Sequence, residues 1–231
     1  MTIGIIGAME EEVALLKDAM TVKETVEYAS MTFCKGILCG KYVVVVKSGI
    51  GKVNAGVCAQ ILVDKFNVEV LINTGIAGSL DASIDIGDMV ISTDLVEHDM
   101  DASIFGHPVG QIPRMDTFSF PADPVLIEKA VAANGEANPD IKTFTGRIVS
   151  GDQFVSSPEV KERLVSNFQA RCTEMEGAAI AHTAYLNKVS CVIIRAISDK
   201  ADNSASVDYP TFERKAIEHS VRLVQSLLPR I

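Results

Sequence analysis

The chain has 231 residues, 48% of them hydrophobic, which suits one globular domain with a sizeable core. Its formal net charge is −9 and it has no Lys/Arg cluster, which argues against a nucleic-acid backbone or an anionic membrane as partner. Five cysteines (Cys34, Cys39, Cys58, Cys172, Cys191), odd in number and without CxxC spacing, read as reduced thiols of a cytoplasmic protein. "MTIGIIGAMEEE" lacks the basic n-region of a signal peptide, and no apolar run approaches the about 18 residues that span a bilayer.

In chain order, "IGIIGAM" (3–9) is a β-rich run ending in small residues, and "EEEVALLKDAM" (10–20) has helical spacing. "ETVEYA", "MTFCKGILC" and "KYVVVVKS" have strand character, and "GKVNAGVCAQILVDKF" (51–66) is helical. "VEVLINTG" (68–75) and "GDMVISTDLVEHD" (87–99) read as strands, followed by an irregular stretch over 100–122. A helix is predicted over 123–135, opening with Asp-Pro and stopping at Gly. After a strand in "TFTGRIVSGD" comes a short helix, with Ser157 as N-cap and Pro158 at its first position. "EGAAIAHTAYLNK" is helical, "VSCVIIRAISD" is a buried strand, and a long amphipathic helix begins at "YPTFERKAIEHSV". Strands that alternate with helices, several of them apolar throughout, predict an α/β fold. The expected architecture is a single domain over 1–231, with a mixed, mostly parallel central sheet flanked by helices on both faces.

Strand after strand ends in Gly, Ser or a carboxylate: "VVVVKSGIG", "VLINTGIAGS", "RIVSGDQF", "VIIRAISDKAD". Ligands of open α/β sheets lie beyond the carboxyl ends of the strands, so these loops together with "IIGAMEEE" predict one pocket. "GIIGAMEEE" lacks GxGxxG spacing, and Glu10, Glu11 and Glu12 would repel a pyrophosphate from the helix start. Two of the three acids suffice to stabilise the helix dipole, which leaves one to turn inward as a base. "EHDMDASIFGH" is rich in metal-ligand residue types (His98, Asp99, Asp101, His107) but has no zinc-type spacing, and no metal is expected. Asp199, just past an apolar strand and preceded by Ser198, is placed either to act as a general acid with a raised pKa or to cap the next segment. In "CTEMEGAAIAH", Glu174 and Glu176 stand at the mouth of a segment made for burial. Buried acids need partners, a proton or a ligand. No GxSxG, GxxxxGK[ST] or Cys/His nucleophile pattern is present, so the candidate chemistry rests on carboxylates: Glu12, Glu176 and Asp199. Three acids suit a substrate that becomes positive in the transition state, such as a glycosidic bond cleaved through an oxocarbenium-like state.

"IGIIGAMEEEV", "KSGIGKVNA", "INTGIAG", "HDMDASIFGHPVGQIP", "IVSGDQF", "EMEGAAIAH" and "RAISDKAD" occur in this order over essentially the whole chain. In this the sequence resembles the 5′-methylthioadenosine/S-adenosylhomocysteine nucleosidase family, within the purine nucleoside phosphorylase-like superfamily. The resemblance implies hydrolysis of the N-glycosidic bond of such nucleosides in methionine salvage, without cofactor. Glu12 would activate water, and Asp199, assisted by Ser198, would protonate adenine N7. Glu176 would bind the ribose hydroxyls, with Met175 packing on sugar and base and Arg195 near the water and the carboxylates. Phe154 would stack on adenine and the Val155 backbone would read its edge. Met9, Ile50, Ala77 and Gly78 would line the pocket, and Phe212 would cover the ribose. A neighbouring subunit would supply Ala102, Phe105 and Pro113, which implies a homodimer. Glu174 is expected to be structural. Ile76 departs from the family, where Ser is frequent and its hydroxyl joins the water network. Futalosine-type or 5′-deoxyadenosine hydrolysis, phosphorolysis and nucleoside binding without turnover are the alternatives.

Overall fold

Runs rich in apolar residues become the parallel centre of the sheet: β1 (Thr2–Gly7), β4 (Lys41–Lys47), β5 (Val70–Ser79) and β10 (Ser190–Asp199). They lie in the order β4-β1-β5-β10, with Ile5 level with Val45 and Ile72, and Ile72 level with Val192. The computed structural model describes residues 1–231. Every residue of β5 is buried, because helices cover both faces of these strands. Side chains alternate between the two covers, as the period of two requires. Ile3, Ile5, Val43 and Val45 join a core with α1 (Glu10–Ala19), α3 (Pro124–Ala137) and α6 (Ala205–Leu227). Ile6, Val44 and Val46 join another with α2 (Lys52–Phe66) and α5 (Gly177–Asn187).

The sheet is mixed. β2 (Thr21–Tyr28) and β3 (Met31–Leu38) extend one side as antiparallel strands beyond β4. On the other side β10 pairs antiparallel with β6 (Met89–Glu97), which pairs in parallel with β8 (Thr143–Ser150). β8 pairs with the short β9 (Cys172–Glu174), and β9 returns to β5. The pairings thus close a ring, β5-β10-β6-β8-β9. α4 (Pro158–Phe168) packs outside it, with Leu164 and Phe168 against Val96 and Val149.

The Ser157 N-cap is in place as predicted, and Asp123 of the Asp-Pro start caps its helix too. The Asp123 carboxylate accepts from Val125 and Leu126 N–H at 2.9 and 3.2 Å, and Ser157 Oγ from Val160 N–H at 3.3 Å. Two elements escaped the sequence pattern: β9, three residues long, and β7 (Phe120–Pro121), a two-residue strand on β6 inside the irregular stretch. α6 also starts at Ala205, a turn before the expected Tyr-Pro. Pro at a helix start satisfies the usual rule, but here Pro210 lies in the second turn, where it leaves one carbonyl without a ladder donor. All five cysteines are free thiols, and burial pushes those of Cys58 and Cys191 up to about 12. No helix is long and apolar enough to cross a membrane.

Candidate active site

A cavity of about 340 Å³ opens where β1, β4, β5, β8, β9 and β10 run out into their following loops. Glu12 enters it from the first turn of α1, where its Oε2 accepts from Ala8 N–H at 2.6 Å and Met9 N–H at 3.1 Å. The bond to the N-cap residue Met9 is half of a capping box. Glu12 Oε1 reaches across to Ile76 N–H at 3.3 Å. That reach needs Gly75, since a Cβ there would run into the Glu12 carboxylate. Glu10, by contrast, faces outward to Lys17 at 2.8 Å. Burial raises the Glu12 pKa against the opposing pull of Arg195 and the three amides.

β9 delivers Glu174, Met175 and Glu176 to the cavity wall. The two carboxylates are then separated by their partners. Glu174 is fully enclosed, accepting from Ser150 Oγ, from the N–H groups of Glu176 (3.0 Å) and Gly177 (2.7 Å), and from Arg195 Nη2. Burial would raise its pKa, but the Arg195 charge and these donors win, and it is lowered. Glu176 has a single protein donor, Gly51 N–H at 2.8 Å. Burial first, and the Glu174 charge second, push its carboxyl up to about 8. At the end of β10 the register slips between Ile197 and Asp199, turning Asp199 to the cavity opposite Gly78. Asp199 accepts from Ser198 Oγ and Ala201 N–H, both at 2.8 Å. Burial still raises its pKa, aided by Asp208 and Asp202.

The structure brings together on this wall Met9, Glu12, Ile50, Ala77, Gly78, Phe154, Val155, Met175, Glu176, Ser198 and Asp199. Two of the expected residues lie elsewhere. Arg195 is sealed behind the wall, with Nη2 on Glu174 and Asn73 and Nη1 on the Ile194 carbonyl at 2.9 Å. Phe212 is off the wall, and Tyr209, three residues earlier on α6, lines it instead. Tyr209 meets Phe154 edge-on, ring centroids 5.7 Å apart, and its hydroxyl donates to Glu213 at 2.9 Å. Ala102, Phe105 and Pro113 do not reach this chain's cavity: Ala102 is buried, whereas Phe105 is 81% exposed. Ile76 lines the wall with its side chain in the apolar core and offers Glu12 only its backbone N–H. Ala8, Gln153 and Thr173 also line it, unforeseen. Ala8 and Gln153 adjoin expected residues, but Thr173 sits on a strand too short to leave a pattern. Of the residues rich in metal-ligand types, Asp99 is engaged by Lys52 and Asp101 by Ser103 N–H at 2.9 Å, while His98 is buried over Gly151.

The family model of the phosphorylase superfamily matches residues 2–229. A 5′-methylthioadenosine/S-adenosylhomocysteine nucleosidase of Staphylococcus haemolyticus is 42% identical over 227 residues, covering 98% of each chain. The Neisseria meningitidis nucleosidase of that name, solved with methylthio-immucillin-A, superposes with a TM-score of 0.95 at 37% identity over 100% of this chain and 99% of its own. The Helicobacter pylori futalosine hydrolase gives 0.94 at 35% identity, over 100% and 98%. By sequence match over nearly its full length and by fold, the chain belongs to the 5′-methylthioadenosine/S-adenosylhomocysteine nucleosidase family of the phosphorylase superfamily.

Proposed function

We propose that the protein hydrolyses the N-glycosidic bond of 5′-methylthioadenosine and S-adenosylhomocysteine, releasing adenine and the 5-thioribose product. The observation that carries the reading is that Glu12, Glu176 and Asp199 converge on one cavity whose wall holds no Lys, Arg or His. Such a site favours developing positive charge at the sugar and offers an anionic co-substrate nothing to bind.

The C1′–N9 bond breaks with its electron pair passing to the purine, and C1′ becomes oxocarbenium-like. Asp199, whose pKa is raised by burial, gives a proton to N7, so adenine leaves neutral. A water attacks C1′ and its proton passes to Glu12, which three backbone amides hold in place. Glu176 accepts from the ribose hydroxyls. Their donors and the positive charge on the sugar favour its carboxylate form over the neutral form of the empty cavity. Phe154 and Met175 pack on base and sugar, Val155 reads the base through its backbone, and Met9, Ile50, Ala77 and Gly78 complete the wall. Ser198 orients Asp199. Arg195 acts from behind the wall: it fixes Glu174 and adds positive charge near Glu12.

The protein works as a homodimer in this reading. Ile104 and Phe105 are 87% and 81% exposed on the segment before Pro113, an apolar loop suited to closing the 5′ side of a second copy's cavity. Its setting is cytoplasmic methionine salvage, and it needs no cofactor.

Incubation with methylthioadenosine, with and without phosphate, tests the reading. Adenine and free methylthioribose, formed at a rate indifferent to phosphate, are expected. Methylthioribose 1-phosphate formed only with phosphate would make the protein a phosphorylase. The structural likeness to a futalosine hydrolase favours a second reading, hydrolysis of futalosine-type nucleosides by the same carboxylates, and the same assay with that substrate decides it.

A further inference from the structure

Three loops around the cavity are tied by a closed ring of three residues: Asp99 after β6, Lys52 at the head of α2, and Asp152 after β8. Lys52 Nζ lies 2.5 Å from Asp99 Oδ1 and 3.0 Å from Glu97 Oε2. Lys52 N–H donates to Asp152 Oδ1 at 2.8 Å, and Asp152 N–H returns to Asp99 Oδ2 at 3.0 Å. One residue before Lys52, Gly51 N–H gives the Glu176 carboxylate its only protein hydrogen bond. Gly51 has φ +96°, and a Cβ there would stand 3.0 Å from Asp152 Oδ1, so the turn and the carboxylate are closely matched. Ile50, which lines the cavity, is on the same turn, and Phe154 and Val155 follow Asp152.

We propose that Asp152, through this ring, is a positioning residue for the carboxylate that binds the sugar. It holds the 49–52 turn so that Gly51 N–H stays on Glu176 and Ile50 stays on the wall. Glu176 emerges from the chain at the start of α5 and has no other donor to fix its rotamer. Without Asp152 the Lys52 amide loses its acceptor, the turn is released, and the carboxylate is free to rotate. Lys52 itself stays anchored by Glu97 and Asp99, so the helix it heads persists. The proposal rests on the reading of Glu176 as the ribose-binding group.

The experiment compares Asp152→Ala with Asp152→Asn, which keeps an oxygen acceptor. Amide hydrogen exchange of the empty protein is measured first. Residues 51 and 52 should exchange at least tenfold faster in Asp152→Ala and near the wild-type rate in Asp152→Asn. Kinetics on methylthioadenosine should then show KM raised about tenfold with kcat within a factor of about two in Asp152→Ala, the pattern of lost uniform binding, with Asp152→Asn restored. Unchanged exchange at Gly51 in Asp152→Ala overturns the proposal, as does equal impairment of the two variants. Wild-type protein that fails to turn over the nucleoside counts against the functional reading instead, and the exchange result still decides the ring.

Discussion

Arg195, behind the cavity wall, and Glu174, on it, form a buried ion pair, their side chains 2% and 3% exposed. The pair occupies the Arg195 guanidinium with Glu174, and it gives the Arg195 charge a fixed place beside Glu12. It also explains why two glutamates stand so close together. One is neutralised by an arginine, and the other is left with a carboxyl whose pKa burial and the Glu174 charge raise.

Arg195→Met keeps the side-chain bulk and strands the Glu174 charge in the interior. Losing one partner of a buried pair costs about 3–5 kcal/mol. Urea denaturation of the variant should show a loss of that order, and a loss below about 1 kcal/mol would mean that the pair is not buried as described.

Asp199→Asn retains the oxygen that accepts from Ala201 N–H and removes the transferable proton. The variant should fold normally and bind nucleoside, with kcat lowered by about 10²- to 10⁴-fold. Product analysis by chromatography measures this, and near-full activity would remove Asp199 from the acid role.

Glu176 links stability to pH. Its carboxyl stands at about 8 in the folded chain against an ordinary value of 4.5, raised by burial and by the neighbouring Glu174 charge. Between those pH values the folded chain holds a proton that the unfolded chain has released. Its contribution is therefore complete below about pH 4.5 and is lost as pH rises to about 8. Glu176→Gln cannot titrate. The variant's melting temperature should gain on that of the wild type steadily from pH 5 to pH 8, and a gap independent of pH would contradict the assignment.

Tyr209 and Phe212 lie three residues apart on α6, but only Tyr209 is on the wall. Tyr209→Ala should raise KM for the nucleoside about tenfold, whereas Phe212→Ala should stay within a factor of about two. The reverse order would place Phe212 over the substrate. An effect of this size corresponds to about 1.4 kcal/mol of binding, a reasonable share for one aromatic contact.

Much of this protein was legible in the chain itself. Apolar runs such as "KYVVVVKS" could only be strands covered on both sides, and Ser157 and Asp123 marked their helix starts because local hydrogen bonds decide capping. Glu12, Glu176 and Asp199 were identifiable as candidates because acids beside segments made for burial need a chemical reason to be there. Other features depended on contacts distant in sequence. The closure of β5-β10-β6-β8-β9 relies on a three-residue strand with no periodicity to read. Arg195 could not be located from its neighbours, since its partner Glu174 is 21 residues away and its direction is set by packing. α6 starts before Pro210, against the local signal for a helix start, and packing turns Tyr209 rather than Phe212 to the wall. Which glutamate keeps its proton was likewise decided in three dimensions. Charge and burial act through space, and only the fold brings Arg195 to Glu174 and Gly51 to Glu176.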